Sequence, residues 1–161
     1  MTRLADILRA IIGVIAGLGV LSYGCAALVT VADIIGRTIG LPVAGVVEMV
    51  QLFVVTGTWL VIPYAFLTGA HVGVDFILMA MPRRIRRVAG GVIGAGTLAL
   101  IGLMLWYAFQ TFSVRTMFGD KSQQLGIPIE YYWYPLLTGL GLSLVAVVLE
   151  FFSSQRSAHH V

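Results

Sequence analysis

Residues 48–87 read EMVQLFVVTGTWLVIPYAFLTGAHVGVDFILMAMPRRIRR. A carboxylate opens the stretch, 22 residues without charge follow from Met49 to Ala70, and four arginines close it. An α-helix needs about 20 apolar residues to cross the hydrocarbon core of a bilayer, so the uncharged run is read as a membrane span. A polar knot, His71 to Asp75, comes next. Beyond it, Val74, Ile77, Leu78, Met81 and Ile85 recur at helical spacing. A segment this short, and this basic at one end, is expected to lie along the membrane interface over residues 72–87. Pro82 is expected to bend it ahead of the arginines.

Outward from this stretch the same pattern repeats. Uncharged runs cover Ala10 to Ala32, Val88 to Val114 and Tyr131 to Leu149, of 23, 27 and 19 residues. The expected fold is therefore an all-α integral membrane protein in one membrane domain. Its four transmembrane helices fall near 10–32, 46–69, 89–112 and 131–150, with the short amphipathic interfacial helix after the second. Composition agrees: 59% of the 161 residues are hydrophobic and 11% charged, against about 25% charged in soluble domains. A cleaved signal sequence has an apolar region of only about 7–15 residues, so the first run is read as a retained span. Its Gly13 and Gly17 share one helix face and would permit close helix approach. Trp106 and Tyr107, and the cluster Tyr131, Tyr132, Trp133 and Tyr134, are placed as interface anchors.

Several polar residues are candidates for more than solvation. Asp33 and Arg37 are four apart, so they sit side by side if the first helix runs through them. They mark either a charged helix end or a fixed pair that positions the turn IGRTIGLPVAG. Glu48 and Gln51 share a face at the start of the second span. Charged groups in spans are costly and face protein or water, but a carboxylate near a helix N-terminus is also favoured by the helix dipole. His71 and Asp75 are too few to hold zinc, which takes three or four protein ligands. Pro128 is expected to fix the start of the last span. The tail histidines, His159 and His160, are read as incidental.

Composition also excludes function classes. Ten basic residues against seven acidic ones give +3, but no basic stripe is interleaved with aromatics as in nucleic-acid binders. The excess is an orientation signal. With the N-terminus in the cytoplasm, that side holds Arg3, Arg9, Arg83, Arg84, Arg86, Arg87 and Arg156, and the other side only Arg37, Arg115 and Lys121. Short cytoplasmic loops carry the excess of bases, so both termini are expected in the cytoplasm and the polar loop RTMFGDKSQQLGIPIE on the far side. The lone Cys25 allows neither an intrachain disulfide nor a cysteine metal cluster. No catalytic triad, HExxH or phosphate loop appears, and the four spans do not divide into matching halves as in many transporters. No cofactor and no metal site are expected. The chain reads as a membrane-embedded structural or accessory subunit.

The ordered set of motifs resembles the small four-helix membrane subunit, the Q subunit, of tripartite ATP-independent periplasmic (TRAP) transporters. The resemblance rests on D-x-x-x-R at Asp33 and Arg37, Glu48 at the start of the second span, and G-x-H-V-x-V-D at Gly69, His71, Val72, Val74 and Asp75. MPRRIRR follows, including Pro82 and Arg83, then LGIP ending at Pro128 and the aromatic start of the last span. It covers nearly the whole chain. One departure is PVAGVVE before Glu48, where family members often carry an aromatic and a second acidic residue.

The resemblance implies a partnership in the bacterial inner membrane. A periplasmic substrate-binding protein, docked transiently, delivers an organic acid, and a large multi-span transport subunit imports it with sodium ions. The small subunit braces the large one as a heterodimer and holds neither substrate nor sodium. Partner-contact candidates are Asp33, Arg37, Glu48, Gln51, His71, Asp75, Pro82, Arg83 and Pro128. Arg37, Arg115 and Lys121 are candidates for docking the binding protein. Two other readings stand beside it: a self-contained four-helix drug exporter using Glu48, and an assembly or anchor subunit of another membrane complex.

Overall fold

The computed structural model describes residues 2–68 and 82–157. They form helices α1 (Thr2–Thr38), α2 (Val46–Leu67), α3 (Arg83–Met117) and α4 (Glu130–Ser157), each with a segment long and apolar enough to cross a membrane. At about 1.5 Å of rise per residue, the 37 residues of α1 are nearly twice as long as a bilayer core is thick, about 30 Å. Asp33 and Arg37 therefore lie on the helix itself, beyond its uncharged run.

The helices pack in the spatial order α1, α2, α4, α3, and α1 makes only a slight contact with α4. Among the described residues α1 and α3 do not pack on each other. The layer is open, and among the described residues few large side chains are buried: Ile12 of α1, Pro63 of α2, Ile101 of α3, and Leu140 and Val147 of α4. Trp59, Phe66, Leu98, Leu105, Leu136 and Leu144 close around the α3–α4 part of this core. Lipid tails are as apolar as leucine, so burial alone does not hold such helices together, and close backbone approach and polar contacts matter more.

The α1–α2 crossing shows both devices. A Cβ on Gly19 would lie 3.0 Å from the Gly57 carbonyl oxygen, and one on Gly57 would lie 2.9 Å from the Gly19 oxygen. Beside this crossing the Ser22 hydroxyl donates to the Phe53 carbonyl at 2.8 Å, and the Tyr23 and Thr58 hydroxyls pair at 2.8 Å. The expected Gly13 and Gly17 do not make the approach: nothing lies within 4 Å of a Cβ on Gly17, and on Gly13 only the Tyr64 ring edge at 4.0 Å. On the other side of α2, Gly139 of α4 lies directly on the Trp59 backbone.

The arginine cluster differs from the expectation. Arg83, Arg84, Arg86 and Arg87 open α3 and do not close an interfacial segment. Pro82 immediately precedes the helix with φ −55°. Its fixed φ and missing N–H suit a helix start, where the N–H has no intrahelical partner in any case. The rest of the interfacial segment, with His71 and Asp75, lies outside the described residues.

Candidate functional site

Two connections meet at one end of the bundle, and Glu48 joins them. Gly45 turns the chain into α2 with φ 69°, a left-handed conformation that glycine adopts without steric cost. A Cβ there would also strike the Leu125 side chain, so the loop closes directly over this glycine. Glu48 falls in the first turn of α2, where the helix dipole favours a carboxylate. From there its side chain reaches the loop between α3 and α4. Glu48 Oε2 accepts from the Ser122 hydroxyl at 2.7 Å and from the Leu125 N–H at 2.8 Å, and Oε1 accepts from the Gln124 N–H at 2.7 Å. Charge-assisted bonds of this kind are the strong ones. The Glu48 backbone carbonyl accepts from the Tyr132 hydroxyl of α4 at 3.1 Å.

The loop is ordered internally to present those donors. Ser122 N–H donates to the Ile127 carbonyl at 2.8 Å, and Ile129 N–H to the Asp120 carbonyl at 3.0 Å. These close a small antiparallel bridge between Lys121 and Pro128. Pro128 has no N–H to contribute, and its carbonyl accepts from Tyr131 N–H at the start of α4. The Ser122 hydroxyl also accepts from Ile127 N–H at 2.9 Å, so one serine serves both the loop and Glu48. At the α3 side the Asp120 N–H returns to the Arg115 carbonyl at 3.3 Å, and their side chains pair at 3.4 Å.

Asp33 does for the other connection what Glu48 does for this one. Its Oδ2 accepts from Arg37 Nε at 2.8 Å, and its Oδ1 accepts from Val43 N–H at 3.1 Å. The pair is therefore fixed, and it positions the turn between α1 and α2. Leu41 N–H donates to the Gly36 carbonyl at 2.8 Å, completing that turn.

Of the sequence candidates, then, Glu48 and Pro128 come together through the loop, and Asp33 and Arg37 form a second cluster at the same end. Gln51 is exposed and takes no part in the Glu48 contacts. Lys121 is exposed on the loop. Arg83 opens α3, far along the chain from both clusters. Sequence reasoning missed Ser122, Gln124, Leu125 and Tyr132 as partners of Glu48. Three of those four contacts use a backbone group on one side, which no side-chain pattern reveals.

The Glu48 contacts tie the starts of α2 and α4 to the long loop, and the Asp33 contacts tie the end of α1 to the turn ahead of α2. No group of three or more potential metal-ligating side chains occurs among the described residues. A family model described as the DctQ component of tripartite ATP-independent periplasmic transporters matches residues 26–157. The match begins inside α1 and takes in all of α2, α3 and α4. Among curated proteins, none matches the chain.

Proposed function

The chain belongs to the family of DctQ components of tripartite ATP-independent periplasmic transporters, and we propose that it braces the large transport subunit of a sodium-coupled importer of organic acids. It forms a heterodimer with that subunit in the bacterial inner membrane, with both termini cytoplasmic, and holds neither substrate nor sodium itself. The observation that carries this reading is the Glu48 anchor, which makes α2, α4 and the 118–129 loop one unit. A neighbour whose transport domain moves needs a fixed reference, and a cap stitched by charge-assisted hydrogen bonds supplies one.

The bias of basic residues supports a periplasmic position for the capped end. There Lys121 and Asp120 of the anchored loop, Arg115 in the last turn of α3 and Arg37 in the last turn of α1 face the docked binding protein. The drug-exporter reading requires Glu48 to exchange ions in mid-membrane. Its two oxygens are instead engaged by Ser122, Gln124 and Leu125 at the end of the bundle. Purification of the tagged chain from its native membrane in mild detergent tests the proposal. A stoichiometric subunit with many more spans is the expected companion, and a homodimer that alone moves a solute in liposomes would overturn it.

A further inference from the structure

One face of α3 carries polar groups that the chain itself leaves unsatisfied. Among the described residues α3 packs on α4 alone, through Leu98, Ile101, Leu105 and Ala108. At about 100° per residue, Leu103, Trp106, Tyr107 and Gln110 lie on the side away from Ile101. Trp106 and Tyr107 are more than half exposed, and Gln110 is exposed with them. The hydroxyls of Thr97, Thr111 and Ser113 in the same helix each donate to the carbonyl four residues earlier. The Gln110 amide, the Trp106 N–H and the Tyr107 hydroxyl make no hydrogen bond among the described residues.

Their depth makes this costly. The 19 uncharged residues 131–149 of α4 only just span the hydrocarbon core, about 30 Å thick, so α4 sets the level of the bilayer. Phe112 of α3 meets Tyr134 near the start of that run, with ring centroids 5.8 Å apart. Ile101 is buried with Leu140 and Val147, farther along it. Trp106 and Tyr107 fall between these contacts, opposite the middle of the run and away from the interface expected for them. Gln110 is two residues, about 3 Å, closer to the middle than Phe112. Helical side chains tilt toward the N-terminus, which for α3 lies deeper in the membrane, so Gln110 leans away from the nearer surface. Lipid tails offer an amide no partner. A neighbouring membrane helix does, since polar side chains bond across such interfaces. The occupant that satisfies this face is therefore protein, and the neighbour that the bracing reading supplies is the large transport subunit.

We propose that the face of α3 bearing Trp106, Tyr107 and Gln110 docks a membrane helix of the large transport subunit, with Gln110 as the hydrogen-bonding residue between the two chains. The inference rests on the bracing reading for the identity of the neighbour, and on α3 for the position of the contact. A shallow groove lined by Gln110, Thr111, Val114, Arg115, Phe118 and Asp120 continues the face toward the capped end.

Two measurements on the full-length chain, co-expressed with the large subunit, test it. Tyr107→p-benzoylphenylalanine is irradiated in intact membranes, and the cross-linked product is identified by peptide mass spectrometry. A product with the large subunit is expected. A product with a second copy of this chain, or none although the large subunit co-purifies, would overturn the docking face and leave the bracing reading standing. If no large subunit co-purifies with the unaltered chain, both fall. In the second measurement, Gln110→Leu should lower the large subunit retained through mild-detergent purification roughly fivefold, the scale of one or two interhelical hydrogen bonds. Gln110→Asn, which keeps the amide, should retain most of it. The unfolding midpoint of the isolated chain should not fall in Gln110→Leu, because no bond within the chain is lost. Unchanged retention, or a lowered midpoint that accounts for the loss, would overturn the role of Gln110.

Discussion

The Glu48 carboxylate accepts the backbone N–H of Leu125 at 2.8 Å across 77 positions of sequence. This contact, with those of Ser122 and Gln124, converts a long connection between two spans into part of the helical unit. The 12-residue polar loop has internal bonds of its own, but without Glu48 the Gln124 and Leu125 amides at its tip would turn to water, as surface loops do.

The first prediction concerns those two amide protons. In Glu48→Gln the side chain keeps one acceptor oxygen but places an NH2 where the second stood. It therefore cannot accept from Ser122, Gln124 and Leu125 together. Hydrogen exchange at Gln124 and Leu125 should accelerate by an order of magnitude or more, as protection falls toward that of an open loop. Exchange within the interior of α1 should not change. Unaltered exchange at both loop positions would show that the carboxylate does not hold them.

Asp33 serves two donors, and they can be separated. Asp33→Ala removes the acceptor for both Arg37 and Val43, whereas Arg37→Ala leaves Oδ1 free to accept from Val43. Val43 exchange should therefore rise in the first variant and stay near its original rate in the second. If both variants expose Val43 equally, the ion pair is needed to orient the carboxylate, and the turn depends on Arg37 as well.

Close backbone approach at the α1–α2 crossing makes a steric prediction. Gly19→Leu and Gly57→Leu each force a side chain against a carbonyl oxygen now within about 3 Å of any Cβ. Overpacking of this kind typically costs about 1–3 kcal/mol, to be read as a lowered unfolding midpoint in detergent. Gly17→Leu, with nothing within 4 Å of its Cβ, should be close to neutral. Ser22→Ala, which removes the hydroxyl bonded to Phe53, should cost about 0.6 kcal/mol, the mean for such contacts between membrane helices.

The proposed docking role predicts a separation between assembly and activity. Arg115→Glu/Lys121→Glu reverses two exposed charges, one in the last turn of α3 and one on the anchored loop, neither of which bonds to Glu48. Uptake by intact cells should fall while the amount of complex in the membrane stays the same. Unchanged uptake would remove these residues from the docking surface.

How much of this was legible in the sequence follows from the kind of interaction. The spans could be read because lipid demands long uncharged runs, and four such runs leave little choice of fold. The Asp33–Arg37 pair could be read because both partners are side chains at helical spacing. Glu48 was visible as a costly charge at the start of a span, but its partners were not, since two of its three donors are backbone N–H groups. Gly13 and Gly17 have the spacing of a close contact, yet Gly19 makes it with Gly57. Spacing says which residues share a face, and only packing says which face meets a neighbour. Pro82 was read as a bend because proline breaks helix interiors. Its fixed φ equally suits the residue before a first turn, and there it lets the arginines open α3.

The most direct test of the account is uptake by the assembled transporter carrying Glu48→Gln, scored against the amount of complex in the same membranes. The account predicts normal assembly with uptake reduced several-fold, because the loop is no longer held in the shape it presents to its partners. Full uptake, in a variant whose Gln124 and Leu125 amides exchange freely, would contradict it: the anchor would then be a detail of this chain's folding, with no part in transport.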